Sequence, residues 1–431
     1  MNNTKGLHRA WLVVLGCGLM IAGTVTFYTV VIGNFFVPAS EELGIEYSSI
    51  SLYSTLVFLG IAAGLPFVGN LLQKIPPIGI AGFAALQSVV VIALSFSDSV
   101  MWWWIGGALV GIGMAFTSIV FISTVLTNWF AKKTGFAIGL AWALASIVSA
   151  IMSPITVALI SSMGWRSSML IFGLIAAVMA VPAALFLVPY SPERKGMMPY
   201  GYEASGQNNE SAEVVSGVPA KRAIRSLPFA LLAIALAATQ IVSVINLYFP
   251  VYADSVGFAP TVGALMISIA LAFDIVLNPI IGWTIDKFGA IPAFVTWMGV
   301  AILSLVILMF SAGSEILAYL GAGLGDTMYV LLGVGIASVA SAVFGTKDYG
   351  KIFAYLVVFG FAAGSVGGFV ITSIYELTGS FEMVFVFCIV MIIVISIAII
   401  FAGISGKKLP WVTEACPTPH SSQKESLSVE K

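Results

Sequence analysis

"ALAFDIVLNPIIGWTIDKFG", residues 270–289, begins as an apolar run broken by one carboxylate, Asp274, and ends in an acid–base pair, Asp286 and Lys287, framed by Gly282 and Gly289. A carboxylate among apolar neighbours is costly in hydrocarbon and harmless in water, so its surroundings decide the reading. Hydrophobic residues make up 60% of the 431 and charged residues 9%, whereas soluble domains carry about 25% charged residues. With a mean hydropathy of +1.07, the chain is a polytopic membrane protein. Apolar stretches of about 20 residues, bounded by charge or turn residues, number twelve: 10–36, 48–72, 77–96, 100–129, 134–162, 166–189, 226–253, 260–285, 290–312, 315–344, 350–376 and 381–404. Residues 270–289 close the eighth of them.

Of the 18 Lys and Arg, 17 lie on the side shared by the N-terminus, the loops after even-numbered spans, the central segment and the C-terminus; only Arg166 lies on the other. The positive-inside rule makes that side cytoplasmic and places both termini there. The opposite loops are acidic, with Glu41, Glu42, Asp98, Asp254 and Glu376 among their residues. No basic surface is left for nucleic acid. The first apolar run is too long for a cleavable signal and lacks a small-residue cleavage pattern, so it is expected to remain as span 1. Cys17, Cys388 and Cys416 are too scattered for a disulfide framework, and His8 and His420 stand at the chain ends. Haem ligation, a zinc centre and histidine-dependent hydrolysis are therefore not expected, nor is any cofactor.

An internal repeat covers nearly the whole chain. Gly44, Pro66, Gly69 and Lys74 recur 213 positions later as Gly257, Pro279, Gly282 and Lys287, and Gly135 and Gly164 recur 215 positions later as Gly350 and Gly379. Six spans per unit is an even number, so the two units run parallel. Between them, residues 190–225 are polar and rich in Gly, Pro, Ser and Glu, which reads as a flexible cytoplasmic linker. The tail, 405–431, is expected to be disordered. The expected fold is all-α: twelve transmembrane helices in two parallel six-helix bundles, 8–189 and 226–404.

Two such halves joined by a long cytoplasmic loop resemble the major facilitator superfamily, over about residues 8–405. The superfamily's loop signature G-x-x-x-D-[KR]-x-G stands intact at Gly282, Asp286, Lys287 and Gly289; in the first half Gly69 and Lys74 persist, while Gln73 and Pro76 replace the acid and the second glycine. The glycine lets two helices approach, and the acid can cap a neighbouring helix and latch the halves, so the latch is expected to be weak in the first half. "NWFAKKTGFAIGLA" (128–141), Gly164-Trp165-Arg166 and the linker pattern Pro192, Glu193, Gly196, Pro199, Gly201 resemble bacterial oxalate/formate-antiporter and monocarboxylate-transporter relatives. The helix 5 signature of drug antiporters keeps only Pro154.

Only two charged residues stand away from the membrane edges: Asp274 in span 8 and Asp326 in span 10. Each lies about 17–21 Å down from the outer end of its span, near the middle of a hydrocarbon core about 30 Å thick. An ionised carboxylate there costs about 2.5–3.5 kcal/mol, which marks both as proton-coupling candidates. The competing reading is a protonated acid in a helix contact, more so for Asp326 beside Gly321, Gly323 and Gly325. Relatives that move carboxylates commonly carry an arginine in span 8 or a lysine in span 11; here Asn278 stands one turn after Asp274, and span 11 has no base beyond Lys351. A dianion such as oxalate should therefore meet repulsion. The superfamily's cavity is lined by spans 1, 4, 7 and 10, which by analogy makes Tyr28, Asn34, Gln240, Asn246 and Tyr329, with Asn278, the substrate-binding candidates. The same groups also serve as ordinary helix-packing hydrogen bonds. Trp102, Trp103 and Trp104 read as an aromatic belt of which Trp104 is the one to point inward, and the glycines of spans 4 and 11 read as packing surfaces.

These features imply a secondary active transporter of the bacterial inner membrane, working by alternating access on a small organic solute, with protons as coupling ion, the bilayer as surroundings and a monomer as the unit. The resemblance favours a monocarboxylate, and the local charge favours a neutral or cationic solute. Proton-independent exchange and, from another class, a non-transporting sensor are the alternatives.

Overall fold

A computed structural model of the chain describes residues 8–72, 74–202 and 214–415. Among these described residues, eleven helical segments are long and apolar enough to cross a bilayer, and one, Thr134–Leu187, has 54 residues. That is about 80 Å of helix for a hydrocarbon core of about 30 Å, so it must cross twice. It divides at Gly164, whose backbone leaves the helical region at φ 77°, ψ 163°, a conformation suited to glycine. Twelve crossings result: α1 (Arg9–Leu43), α2 (Tyr47–Leu71), α3 (Pro77–Leu94), α4 (Val100–Trp129), α5 (134–163), α6 (165–187), α7 (Leu227–Ser255), α8 (Pro260–Phe288), α9 (Ala290–Met309), α10 (Glu315–Phe344), α11 (Tyr349–Thr378) and α12 (Phe381–Gly406). Ser99 and Ser380 cap α4 and α12 by accepting the N–H groups of Met101 and Glu382.

The most apolar stretches of α1, α4, α7 and α10 are 61–83% buried, against 33–39% for the other crossings, so these four form the centre. They are also the four that break in mid-course. A 3-10 turn at Val31–Phe35 of α1 recurs at Val244–Tyr248 of α7, 213 positions on. In α4 the break is Ser118, and in α10 it is Asp326 followed by a π turn, Leu331–Gly335. Irregular backbone at membrane depth is tolerated where it faces protein or a cavity rather than lipid. The glycines do pack: Gly107 and Gly111 bring α4 onto the main chain of α2 at Tyr53 and Val57, and Gly360 and Gly367 bring α11 onto Leu236 and Ile241 of α7. Among the tryptophans the expectation is corrected. Trp103 is the fully buried ring, packed on Phe36, Tyr53 and Trp165, because its side of α4 faces α1 and α2; Trp104 is half-buried and donates to the Ser49 carbonyl.

The halves meet along α5 with α8 and α2 with α11. Their contacts run from the face carrying the chain ends to the middle: Gly135 against Gly282, Gly139 against Asn278, Gly350 against Thr124, and the stacked rings of Phe58 and Phe361 at 5.7 Å. Toward the other, distal face α5 is exposed around most of its circumference, including Pro154, Ile155, Val157, Ala158 and Ser161. The molecule is therefore closed on the terminal face and splayed on the distal one.

The described parts of the linker and tail pack against loops of the two halves. Tyr200 joins the α4–α5 loop, its N–H donating to the Trp129 carbonyl (2.8 Å) and its carbonyl accepting from Ala131 (3.0 Å), while its ring packs on His8, Trp11 and Phe130. Strand β1 (Val214–Gly217) pairs antiparallel with β2 (Val412–Ala415) and is carried onto the α10–α11 loop by the Val218 N–H to the Phe344 carbonyl, 2.8 Å. Extended backbone finds partners in two loops related by the repeat, a tertiary event that local composition does not encode. Residues 203–213 and 416–431 lie outside the described residues.

Candidate functional site

One face of α8 puts Asp274 and Asn278 a helical turn apart, toward the interface between the halves. Asp274 and Asp326 are 8% and 5% exposed, so both carboxyls are removed from bulk solvent. They are also neighbours, brought together where α8 packs on α10. Asn278 donates to Asp274 Oδ1 at 2.9 Å and to the Asp274 carbonyl at 2.9 Å. Across the interface, the Ser146 hydroxyl of α5 donates to Asp274 Oδ2. Asn246, on the 3-10 turn of α7, donates to Asp326 Oδ1 at 3.1 Å. Among the described residues no lysine, arginine or histidine acts on either acid. The site is thus acidic, polar and drawn from α5, α7, α8 and α10.

Tyr329 completes it. It stands 47% exposed while Gly325, Asp326, Thr327, Met328 and Val330 around it are buried, so its ring borders open space at the centre of the bundle. The indole of Trp142, one turn before Ser146, lies across Gly333, one turn after Tyr329, and its N–H is buried without an acceptor.

The other candidates go elsewhere. Tyr28 is fully buried, its hydroxyl 2.8 Å from Ser88 Oγ of α3, inside the first half. Asn34 donates to Ser153 Oγ at 3.0 Å and ties α1 to α5. The Gln240 amide lies against Gly364 of α11. Sequence reasoning did not single out Ser146, one of many serines; its only signal was that the equivalent position, 215 later, is Phe361.

The loop signature has a defined geometry on the terminal face. Asp286 accepts the Gly135 N–H (2.8 Å) and the Phe136 N–H (2.7 Å), capping the start of α5 from the opposite half. Gly282 has only hydrogen where the Gly135 carbonyl approaches, Lys287 Nζ sits 4.8 Å over the Trp283 ring, and Gly289 ends α8 at φ 90°. Gly69 falls within α2, and Gln73 lies outside the described residues. On the distal face Arg166 of the Gly-Trp-Arg landmark joins Glu42 (2.7 Å), Asp98 (2.8 Å) and the carbonyls of Ser95 and Ser97, fastening α6 to α1 and the α3–α4 loop.

Comparison with known proteins agrees with this architecture. Monocarboxylate transporter 4 of Rattus norvegicus is 26% identical over 286 residues, 63% of this chain and 56% of that protein. Monocarboxylate transporter 2 of Homo sapiens is 28% identical over 166 residues, 38% of this chain and 34% of that protein. The chain thus spans between about a third and three fifths of the length of the curated relatives it matches. A bacterial homologue of the iron transporter ferroportin, solved in an outward-facing state, superposes with a TM-score of 0.62 over 93% of this chain and 99% of that one at 14% identity, a likeness of fold. The Major Facilitator Superfamily model matches residues 15–346, and with its two parallel six-helix halves the chain belongs to the major facilitator superfamily.

Proposed function

We propose that the chain is a secondary active transporter that carries a small organic solute by alternating access with protons as the coupling ion, in the bacterial inner membrane, as a monomer with both termini cytoplasmic. The observation that carries this reading is the Asp274–Asp326 pair, two neighbouring buried acids, each about halfway along its membrane-spanning helix, beside the seam where the halves meet. Buried ionisable groups there are expensive and mark ion paths. Asp286, Gly282, Lys287 and Gly289, with a degenerate counterpart at Gly69, form the cytoplasmic latch. A state closed on the terminal face and splayed on the distal one is one end of the rocking cycle.

The solute reading favoured by the named relatives is a monocarboxylate. It binds with its charge cancelled by a proton at the acid pair, beside Asn246, Asn278 and Tyr329. A second reading, a neutral or cationic solute, draws on the absence, among the described residues, of any cation acting on the pair. Uptake into proteoliposomes of matched compounds of charge −2, −1, 0 and +1, from about pH 5 to 8, separates the two. A monoanion rising as external pH falls supports the first, and a cation favoured as pH rises supports the second. Strong, pH-independent uptake of a dianion overturns both.

A further inference from the structure

A buried indole ordinarily finds an acceptor for its N–H, the one polar group it has. Among the described residues, that of Trp142 finds none. Trp142 shares a face of α5 with Ser146, four residues on, and Ser146 reaches across the seam to Asp274. The indole therefore lies one turn nearer the terminal face than the acids. Its Nε1 and Cε2 come within 3.2 Å of the point where a side chain would begin at Gly333, inside the π turn of α10. A side chain there would press on the ring, and π turns of this kind gather at functional sites. Gly333 stands one turn beyond Tyr329, whose ring borders open space. Two more buried atoms lack partners close by: Oγ1 of Thr327, which follows Asp326, and Oδ1 of Asn246, which is bonded to Asp326.

We infer that Trp142 is a specificity-determining residue of the solute site, its N–H donating to an acceptor oxygen of the bound solute and its ring on Gly333 closing the site one turn below the acids. An unmade bond at a buried donor is costly, and a solute oxygen removes that cost. One end of the solute is held at Asp274 and Asp326, and the other meets the indole. The site thus selects small solutes with a second polar oxygen, a hydroxyl or a carbonyl, over equally long solutes that end in hydrocarbon. The role assigned to Trp142 rests on the solute-carrier reading above and narrows its substrate class.

Two measurements on the full chain in lipid nanodiscs test this. Without solute, the ultraviolet resonance Raman difference between wild type and Trp142→Phe, which keeps a ring and removes the N–H, should show an indole free of a hydrogen bond. With solute, the probes are butanoate, its hydroxy and keto derivatives, and the matching uncharged amides. Equilibrium binding should show the wild type favouring the oxygenated members by roughly three- to tenfold, the worth of one hydrogen bond. Trp142→Phe should erase that preference and bind the parent compounds as before. Gly333→Ala, which pushes the indole aside and keeps its N–H, should reduce the preference too, and it carries the test should Trp142→Phe not fold. An indole already hydrogen-bonded in the empty protein, an equal loss of affinity for oxygenated and parent compounds, or a wild type that binds none of the probes overturns the inference. Selective binding through Trp142 in a protein that moves none of these compounds across a bilayer refutes the transport reading alone.

Discussion

α5 meets α8 through Ser146 and Asp274, whereas α2 meets α11 through the stacked rings of Phe58 and Phe361, and Ser146 and Phe361 are equivalent positions of the repeat. The difference extends inward. At the same offsets Asp274 corresponds to Ile61, Asn278 to Leu65 and Asp326 to Gly111, and the first two counterparts are fully buried core. On the terminal face, the start of α5 is capped by Asp286 from the other half, while Asp348 at the start of α11 is turned to the linker, accepting the Ala220 N–H at 2.8 Å. One seam is polar and carries an acid; the other is apolar. Two copies of one helical frame thus divide the work, the second half holding the acids and the first supplying a rigid surface, the Ser146 hydroxyl and the Trp142 indole.

The largest effect should come from filling the closest approach on the polar seam. Gly282→Val puts a side chain where the Gly135 carbonyl lies; overpacking of this kind costs about 1–3 kcal/mol, roughly a five- to hundredfold loss of the closed state. The check is the distance distribution between spin labels at the exposed Ile78 and Thr296, on α3 and α9, which should shift to longer separations. Gly69→Val, at the degenerate copy, should shift it less. An equal shift in both would remove the asymmetry of the latch.

Asp286→Asn comes next. It weakens two charge-assisted bonds at a helix start that is partly exposed, an effect of about 1–2 kcal/mol, and the same labels should report roughly a five- to thirtyfold loss of closure. Gln73→Ala, in the decayed signature where no acid stands to be lost, should change closure less than about twofold. Ser146→Ala is expected to cost about 0.5–1.5 kcal/mol of closure and to make it less dependent on pH, whereas Phe361→Leu should weaken closure with its pH dependence intact. If both variants keep the wild-type pH dependence, the polar seam is not the one that reads the proton.

Much of this frame is legible in the sequence because hydrocarbon imposes it: twelve apolar runs, a repeat marked by glycines and prolines, and two acids too deep to reach either surface. The pairing of those acids is not legible, since Asp274 and Asp326 lie on different helices and only packing brings them together. Ser146 is hidden for the same reason, and so is the fit of Tyr200 and β1 onto the α4–α5 and α10–α11 loops. Tyr28 shows the opposite error. A polar ring on a central helix reads as cavity lining, but a helix has several faces, and this one turns to Ser88 rather than to the centre.

Tyr28 and Tyr329 give the finest test of the comparison, because both are tyrosines of central helices and sequence alone assigns them the same role. Tyr28 is sealed in the first half with its hydroxyl paired to Ser88, so Tyr28→Phe removes one buried hydrogen bond and leaves the cavity untouched. The expected cost is about 0.5–1.5 kcal/mol of stability, a few degrees or less in thermal midpoint for a chain of this size, with solute affinity unchanged. Tyr329 presents its ring to open space beside the acid pair, and its hydroxyl makes no hydrogen bond among the described residues. Tyr329→Phe should therefore leave the thermal midpoint where it is and weaken solute binding by roughly three- to tenfold, the worth of one hydrogen bond. Thermal unfolding and binding measured on the two variants side by side read the two effects separately. A loss of affinity in Tyr28→Phe without a loss of stability would place that ring in the solute path after all and make the first half more than a frame.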